Sequence, residues 1–418
     1  MFTLLFIACL LGDLLIRFWL ARRQVRHVLR HRDAVPAVFA ERIGLRSHQR
    51  AADYTIARIQ LLLIERVTEA AVLLALTLLG GLQFLDIQIG RLIESEIARQ
   101  LVLVGSVFAI LGLVGLPFAL WRTFRLEARF GFNRMTPRLF ALDTLKILLV
   151  TLILGAPLLA CILWVMGHAG PAWAWWAWGL WVAFNLLVLW LYPSFIAPLF
   201  NRFTPLDDPE LSARIHALAQ RCRFGLSSLY VMDGSRRSAH GNAYFTGFGR
   251  HRRIVFFDTL LARLNADEVE AVLAHELGHF AHRHILKRMV IGFATALLLL
   301  LLLAWLSTQL WFYTGLGVIP QLGRPNDGLA LVLFFLTMPV FTFWAAPLAG
   351  LLSRRDEFQA DRYAVAQCGA EPLVSALVKL YDDNAATLTP DPLHSAWYDS
   401  HPPATVRIQH LRHGHASH

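Results

Sequence analysis

The residues of this chain best suited to chemistry form the string HELGH at 275–279. Two histidines four residues apart on a helix point to the same face, and two imidazoles so placed can share one Zn²⁺ at about 2.0–2.1 Å each. Glu276 lies beside them, where its carboxylate can accept a proton from a zinc-bound water. Chance produces such a string in roughly 3 of 100 chains with this histidine content, so His275 and His279 need support from elsewhere in the sequence.

A catalytic zinc site also needs a third protein ligand and one position left open for water. One common pattern continues with a glycine and a histidine, but this chain has His282 and Ile285 at those two positions, which excludes that pattern. Another takes a glutamate from a later helix, and the segment SRRDEFQADRYA at 353–364 offers Glu357. Asp361 lies one turn further on the same helix face, where it can hold a ligand histidine through the imidazole N–H.

A helix must position the first two ligands. In the stretch 265–288, Asn265 followed by Glu268 three residues later is typical of a helix N-terminus, and apolar residues then recur at helical spacing. His282 and His284 follow so closely that at most one of them could approach the same metal. We interpret both as residues that support the site or the fold.

Long apolar segments dominate the rest of the chain. Of its 418 residues, 56% are hydrophobic and only 16% are charged, against about 25% charged in soluble domains. A helix rising about 1.5 Å per residue needs about 20 apolar residues to cross a bilayer. Seven segments qualify, approximately 2–20, 60–85, 101–121, 142–166, 172–197, 288–313 and 329–352. The composition therefore predicts a multi-pass protein embedded in a lipid bilayer.

The charges between these spans predict their orientation. Segments 21–59, 122–141, 198–287 and 353–418 would share one face, and all are rich in Arg or Lys, whereas the segments on the other face are short and nearly balanced in charge. Basic segments remain on the cytoplasmic side. Because two spans separate HELGH from Glu357, both would lie on that side, and the zinc site is predicted to be cytoplasmic.

Two other kinds of site are not expected. The net charge of +10 follows from the basic segments beside the spans, and no stacking-aromatic or helix-turn-helix pattern accompanies it, so no nucleic-acid partner is predicted. The four cysteines (Cys9, Cys161, Cys222 and Cys368) form no CxxC pair. Neither a disulfide framework nor a thiolate zinc site is therefore expected.

Ionisable residues lie inside or near the ends of three spans. The sets are Asp13 with Arg17, Glu65 with Arg66 and Glu69, and Asp143 with Lys146. Helical spacing allows pairing within each set. The alternative is that these side chains line a water-filled chamber, since charges at membrane depth face the bundle interior or a wet cavity.

With these residues together, the chain resembles the type I CAAX prenyl protease family of integral-membrane zinc metalloproteases over nearly its whole length. The matching segments are YPSFIAPLFNRFTPL at 192–206, GSRRSAHGNAYFTGFGRHRRIVFFDTL at 234–260, SRRDEFQAD at 353–361 and WYDSHPPATVRI at 397–408. The resemblance implies an α-helical polytopic fold, in which about seven spans enclose a chamber capped by a mostly helical zinc domain with a small β-sheet. It implies four parts: spans one to five (1–197), the first part of the zinc domain (198–287), spans six and seven (288–352), and its second part (353–418).

The resemblance also assigns roles to single residues. It implies Glu357 as the third ligand, Asp361 as the accompanying acidic residue, grouped with the catalytic residues, and His401 as the residue that stabilises the oxyanion. Arg407 would tie the C-terminal segment to the site and is grouped with the substrate-binding residues. The other members of that group would lie on a strand that receives substrate: Asn242, Ala243 and Tyr244. For His401, Asn242 and Arg407 a structural role stays open as the alternative.

The residues themselves also indicate such a strand. The segment 242–246, a turn at 247–250 and the apolar run 254–257 are typical of a β-hairpin. An edge strand beside a metal can hold an extended peptide by backbone hydrogen bonds.

These features predict an integral-membrane zinc endopeptidase with one Zn²⁺ per chain, in which Glu276 activates a zinc-bound water. The family name implies cleavage after a prenylated C-terminal cysteine. The Arg- and Ala-rich composition is typical of a bacterial protein, for which we expect an inner-membrane location and membrane-associated peptides as substrates. A transporter or zinc sensor is the alternative class, but a site that only binds metal does not need Glu276.

Overall fold

The structure, a computed structural model, describes residues 1–247, 252–321 and 323–413. These residues form a mostly helical protein with one small sheet. The helices are α1 (Phe2–Arg30), α2 (Leu45–Leu76), α3 (Gly81–Leu92), α4 (Glu96–Trp121), α5 (Pro137–His168), α6 (Trp173–Leu191), α7 (Ala197–Phe200), α8 (Pro209–Arg221), α9 (Asp258–Leu261), α10 (Ala266–Ala281), α11 (His284–Leu306), α12 (Leu310–Thr314), α13 (Asp327–Thr342), α14 (Ala346–Cys368), α15 (Ala370–Asp383), α16 (Pro392–Tyr398) and α17 (Ala404–His413). The strands are β1 (Phe203–Pro205), β2 (Leu226–Met232), β3 (Ala243–Thr246) and β4 (Arg252–Phe257).

The number of membrane spans agrees with the prediction. Among the described residues, six continuous helical segments are long and apolar enough to cross a bilayer, and α2 with α3 makes a seventh that is bent by 52°. The bend was not predicted, because the sequence reads as one apolar segment over 60–85. The chain leaves the helix after Leu76, and Gly80 adopts a positive φ of 81° before α3 begins, a conformation that costs glycine little.

The seventh span and the helix that carries Glu357 are one element. Helix α13 passes through a short 3₁₀ turn at Phe343–Ala345 into α14, so the helical segment runs over Asp327–Cys368. It ends at Gly369, whose φ is 79°. Glu357 is therefore attached rigidly to a membrane span.

The spans enclose a chamber. Helices α1, α2, α4, α5, α6, α11 and α13 each pack against the next, and α13 returns to α1, so that the ring is closed. Only 6% of the apolar window of α5, and the same share for α6, is buried within the protein, which a filled bundle would not give. A buried apolar cluster that includes Phe6, Leu82, Leu103, Phe312 and Leu333 closes the end of the ring remote from Glu357.

The sheet lies outside the spans and packs on the helix that carries HELGH. Its strand order is β1-β2-β4-β3, with β2 and β4 parallel and the two outer pairs antiparallel. Ala243 faces Phe256 and Thr246 faces Arg253, which confirms the predicted pairing of the two hairpin strands; residues 248–250 of the predicted turn lie outside the described residues. A second apolar core, with Ile215, Phe256 and Leu273 at its centre, joins the sheet to α8, α10 and α15.

Of the three charge sets in the spans, the first pairs as helical spacing predicted, and the second does so only in part, since Glu65 pairs with Arg122 of the segment after α4. The carboxylate of Asp13 accepts a hydrogen bond from Arg17 Nε at 2.8 Å, and Arg66 pairs with Glu69. The predicted pairing within the third set is wrong. Asp143 accepts two hydrogen bonds, at 2.8 and 3.1 Å, from Arg237, and Lys146 donates to the Leu199 carbonyl at 2.6 Å. A guanidinium can bind both carboxylate oxygens at once, so it outcompetes a lysine one turn away.

Candidate active site

Helix α10 presents the HELGH residues from a well-defined start. The Asn265 side chain accepts from the Glu268 amide at 2.9 Å, and the Glu268 carboxylate accepts from the Asn265 amide at 2.8 Å, which is the capping box expected from the sequence. Burial opposes the negative charge of Glu268, but hydrogen bonds from Lys379, Asn265 and Ser375 outweigh it and lower its pKa. These bonds join the start of α10 to α15.

The middle of α10 touches α14 through a glycine. A Cβ on Gly278 would lie 2.9 Å from Ala360 Cα, 3.0 Å from Ala360 O and 3.0 Å from Tyr363 Cβ. Only a residue without a side chain allows the two helices to approach so closely. The approach brings Glu357 opposite the two histidines of α10.

The ligating atoms of His275, His279 and Glu357 form a compact triangle. The two Nε2 atoms are 3.2 Å apart, His275 Nε2 is 3.4 Å from Glu357 Oε2, and His279 Nε2 is 3.3 Å from Glu357 Oε1. Ligands at about 2.05 Å from a tetrahedral zinc are about 3.3 Å from one another. The triangle therefore has the dimensions of three corners of such a site, with the fourth left for water.

The polar atoms at this triangle fit a cation. Glu357 is 3% exposed, and its Oε2 is buried without a hydrogen-bond partner among the described residues, a costly state for a carboxylate oxygen unless a cation binds it. Burial alone would lower the pKa of His275, but the nearby carboxylates of Asp361 and Glu357 outweigh burial and raise it. Two carboxylates against the single charge of Arg407 leave negative charge where a metal would bind.

Asp361 and Arg407 hold the His275 ring at its Nδ1 side. Asp361 is fully buried, and its Oδ1 lies 2.9 Å from His275 Nδ1. Arg407, on α17, donates from Nε and Nη2 to the two Asp361 oxygens at 2.7 and 2.6 Å. Burial disfavours the charge of Arg407, but its bonds to Asp361 outweigh this and raise its pKa. The pair fixes the His275 ring so that Nε2 faces the triangle.

His401 lies at the solvent side of the triangle, between α16 and α17. Its Nε2 is 3.5 Å from Glu357 Oε1. Asp391 caps the start of α16 and accepts two hydrogen bonds from Arg23 of α1, while Arg354 of α14 donates to the Asp399 carbonyl at 2.7 Å. The segment that carries His401 is therefore attached to the spans at both ends of α16.

Glu276 is half-buried on α10 beside the triangle, and no described residue binds its carboxylate. The other predicted residues lie on the sheet. Strand β3 is at the edge, paired only with β4 among the described strands. Asn242 is exposed, and burial, with Tyr192 nearby, raises the pKa of Tyr244 to about 12.

The predicted residues thus fall into two groups. His275, His279, Glu357, Asp361, His401 and Arg407 come together around one point. Ala243 and Tyr244 lie on the edge strand and Asn242 directly precedes it, and no hydrogen bond, ion pair or ring contact among the described residues joins the three to that point.

The sequence interpretation missed one contributor, Arg354, and left the role of a second, His284, open. Arg354 stands in the quoted segment SRRDEFQAD, but nothing in the pattern indicates that it binds carbonyl groups at the end of α16. His284, left open above as a residue of the site or the fold, hydrogen-bonds to His279 at 2.9 Å. A histidine five residues after a ligand was the signal available.

Comparison with known proteins covers nearly all of the chain. Residues 24–202 match the family described as CAAX prenyl protease N-terminal, five membrane helices, and residues 205–415 match peptidase family M48. The CAAX prenyl protease 1 homolog of Arabidopsis thaliana is 38% identical over 322 residues, covering 76% of this chain and 74% of that protein. CAAX prenyl protease 1 of Saccharomyces cerevisiae is 34% identical over 329 residues, covering 76% and 73%.

A solved structure matches as well. The crystal structure of S. mikatae Ste24p superimposes with a TM-score of 0.90 at 28% identity, covering 98% of this chain and 99% of that chain. The fold class and the family resemblance predicted from the sequence are confirmed. The chain belongs to peptidase family M48, as a multi-pass membrane metallopeptidase similar to the CAAX prenyl proteases.

Proposed function

We propose that this chain is a zinc endopeptidase that hydrolyses peptide bonds in membrane-associated peptides, including C-terminally prenylated peptides. One observation carries the proposal: the ligating atoms of His275, His279 and Glu357 are separated by 3.2–3.4 Å. Two imidazoles and one carboxylate are a ligand set used by catalytic zinc, with a fourth position open. One zinc per chain is expected.

Zinc bound there supplies a Lewis acid that activates water and polarises a carbonyl group. The remaining steps belong to the side chains. Glu276, unbound by other described residues, takes a proton from the attacking water on its carboxylate and returns it to the leaving amine. A proton on His401 Nε2 donates a hydrogen bond to the oxygen on which negative charge develops. Asp361 and Arg407 keep the His275 ring fixed while charge moves.

Strand β3 is the proposed seat of the substrate. Its outer edge leaves backbone N–H and C=O groups available to pair with an extended peptide. The ring pairs Phe224–Phe245 and Phe224–Phe280, with centroids 5.1 and 5.0 Å apart, connect this strand to α10. Asn242, Ala243 and Tyr244 would therefore align the peptide relative to the metal.

The peptidase unit is proposed to consist of segments 198–287 and 353–418, separated by the two spans of 288–352. The basic segments beside the spans support a cytoplasmic position for it, in the inner membrane if the protein is bacterial. Labelling Cys222 or Cys368 with an impermeant thiol reagent in spheroplasts tests this, since labelling before lysis would refute the orientation.

The test uses detergent-purified protein and a quenched fluorescent peptide with and without a farnesylated C-terminal cysteine. We expect Glu276→Gln to bind zinc normally and to cleave at least about 100-fold more slowly, because the proton acceptor is lost while the ligands remain. Glu270→Gln is the matched control: Glu270 is on the same helix, but its carboxylate binds Arg214 and Arg221.

The possible outcomes distinguish between substrate classes, between mechanisms, and between an enzyme and a metal-binding protein. Cleavage that a chelator abolishes and that prefers the farnesylated peptide supports a prenyl-peptide protease, and equal cleavage of both peptides supports a broader membrane-peptide substrate. Undiminished cleavage by Glu276→Gln would overturn the mechanism. Tight zinc binding without cleavage of either peptide would favour a sensor or transporter.

A further inference from the structure

His284 begins α11 and is 1% exposed, although the two residues before it, His282 and Arg283, are exposed. In one continuous helix a residue five positions after His279 would point about 140° away from it. The helix is not continuous here. Arg283 adopts a left-handed conformation, with φ 56° and ψ 34°, and this turn brings His284 back against His279.

Both ring nitrogens of His284 have partners. Its Nδ1 lies 2.9 Å from His279 Nδ1. Its Nε2 lies 3.0 Å from Gln359 Oε1 and 3.5 Å from Asp356 Oδ1, and both of these partners are on α14. The Asp356 carboxylate can only accept, so the proton of a neutral His284 belongs on Nε2.

The position of that proton determines where His279 carries its own proton. With its proton on Nε2, His284 has a bare Nδ1, which accepts the Nδ1–H of His279. His279 then carries its lone pair on Nε2, the atom 3.2 Å from His275 Nε2 and 3.3 Å from Glu357 Oε1. The first ligand has an equivalent arrangement, since His275 Nδ1 faces Asp361 at 2.9 Å.

We propose that His284 is a positioning residue for the metal: it holds the His279 ring by accepting its Nδ1–H and so directs the His279 Nε2 lone pair into the site. The proposal rests on zinc binding by His275, His279 and Glu357. Residues that hold a ligand histidine in this way are worth about 10- to 100-fold in metal affinity.

The test measures the zinc dissociation constant of the full-length protein in detergent, by competition with a fluorescent chelator. We expect His284→Ala to weaken zinc binding by about 10- to 100-fold. His284→Asn should recover most of the loss, because its Oδ1 is as many bonds from the backbone as His284 Nδ1 and can accept the same hydrogen bond. His216→Ala replaces an exposed histidine of α8 that hydrogen-bonds to the Ser212 carbonyl of its own helix, and it should bind zinc like the wild type.

The controls separate this proposal from the site itself. Unchanged zinc binding in His279→Ala would refute the metal site. Loss of binding in His279→Ala, with unchanged affinity in His284→Ala, would refute only the role of His284. Equal losses in His284→Asn and His284→Ala would also refute it, since the hydrogen bond would then not matter. If His284→Ala does not fold, His284→Asn against His216→Ala decides: zinc binding near wild type in the Asn variant supports the acceptor role, and a loss of 10-fold or more overturns it.

Discussion

The contact at Gly278 offers a measurable test of how the site is assembled. In Gly278→Ala the new Cβ would meet Ala360 Cα at 2.9 Å, whereas ordinary contacts begin at 3.4 Å. Restoring that distance requires α10 and α14 to separate by about 0.5 Å. Ala360 and Tyr363 contribute a backbone Cα, a carbonyl oxygen and a Cβ, none of which can rotate away.

The separation acts directly on the proposed metal ligands. His275 and His279 are on α10, Glu357 is on α14, and their atoms are 3.3–3.4 Å apart across the two helices. A shift of about 0.5 Å exceeds the roughly 0.2 Å tolerance of a well-formed metal site. Overpacking of this kind costs about 1–3 kcal/mol, which corresponds to about 5- to 150-fold in zinc affinity if the strain must be restored on binding.

The assay is chelator competition for zinc, with thermal unfolding of the metal-free protein measured in parallel. We expect weaker zinc binding in Gly278→Ala and a smaller change in the unfolding temperature, because the metal-free helices can relax apart. Gly292→Ala is the control, since its Cβ meets nothing within 4 Å. Wild-type zinc affinity in Gly278→Ala would refute the reasoning that this close contact sets the ligand geometry.

Two further variants test the buried and titrating groups. Arg407→Met should destabilise the protein by about 3–5 kcal/mol, because it leaves the fully buried Asp361 carboxylate without its cation; adding Asp361→Leu should restore thermal stability but not zinc affinity, and no recovery in the double variant would contradict this. Hydrogen bonding to Glu127, opposed by burial and aided by Asn384, raises the pKa of His240 above 6.5. Folding therefore favours protonated His240, a contribution complete below pH 6.5 and lost as the pH rises through the raised pKa. The wild type should therefore unfold at a higher temperature than His240→Gln at pH 6, and this difference in unfolding temperature should shrink as the pH rises from about 6 to 8. A difference that stays constant with pH would show that the ring contributes only by packing.

Local features of the structure could be predicted from the sequence because they depend only on residues that are close together along the chain. The i, i+4 spacing of His275 and His279, the Asn265–Glu268 cap and the apolar length of each span follow from helix geometry alone. The pairing of Asp13 with Arg17 belongs to the same class. The family resemblance added residues of the C-terminal segment, such as His401, that no periodicity would indicate.

Predictions from local sequence patterns fail where two segments that are distant in the chain come into contact. Asp143 could choose between Lys146 on its own helix and Arg237, almost a hundred residues later, and only the fold supplies the second partner. Residues 60–85 read as one span because nothing in their hydropathy records the bend after Leu76. The position of His284 could not be predicted for the same reason. The left-handed backbone conformation of Arg283 turns the His284 side chain towards His279, whereas helical spacing alone would point it away.

The sequence by itself therefore determined the chemistry available to this protein: two imidazoles with a glutamate between them, a later Glu–Asp pair, and an even number of apolar spans between these two segments. Only the tertiary structure decided that these groups meet at tetrahedral distances. Helix periodicity is fixed by hydrogen bonds between residues four apart, so the nearby sequence is enough to predict it. The distance between α10 and α14 is fixed by steric contact between Gly278 and Ala360, which lie far apart in the chain and meet only when the whole core packs.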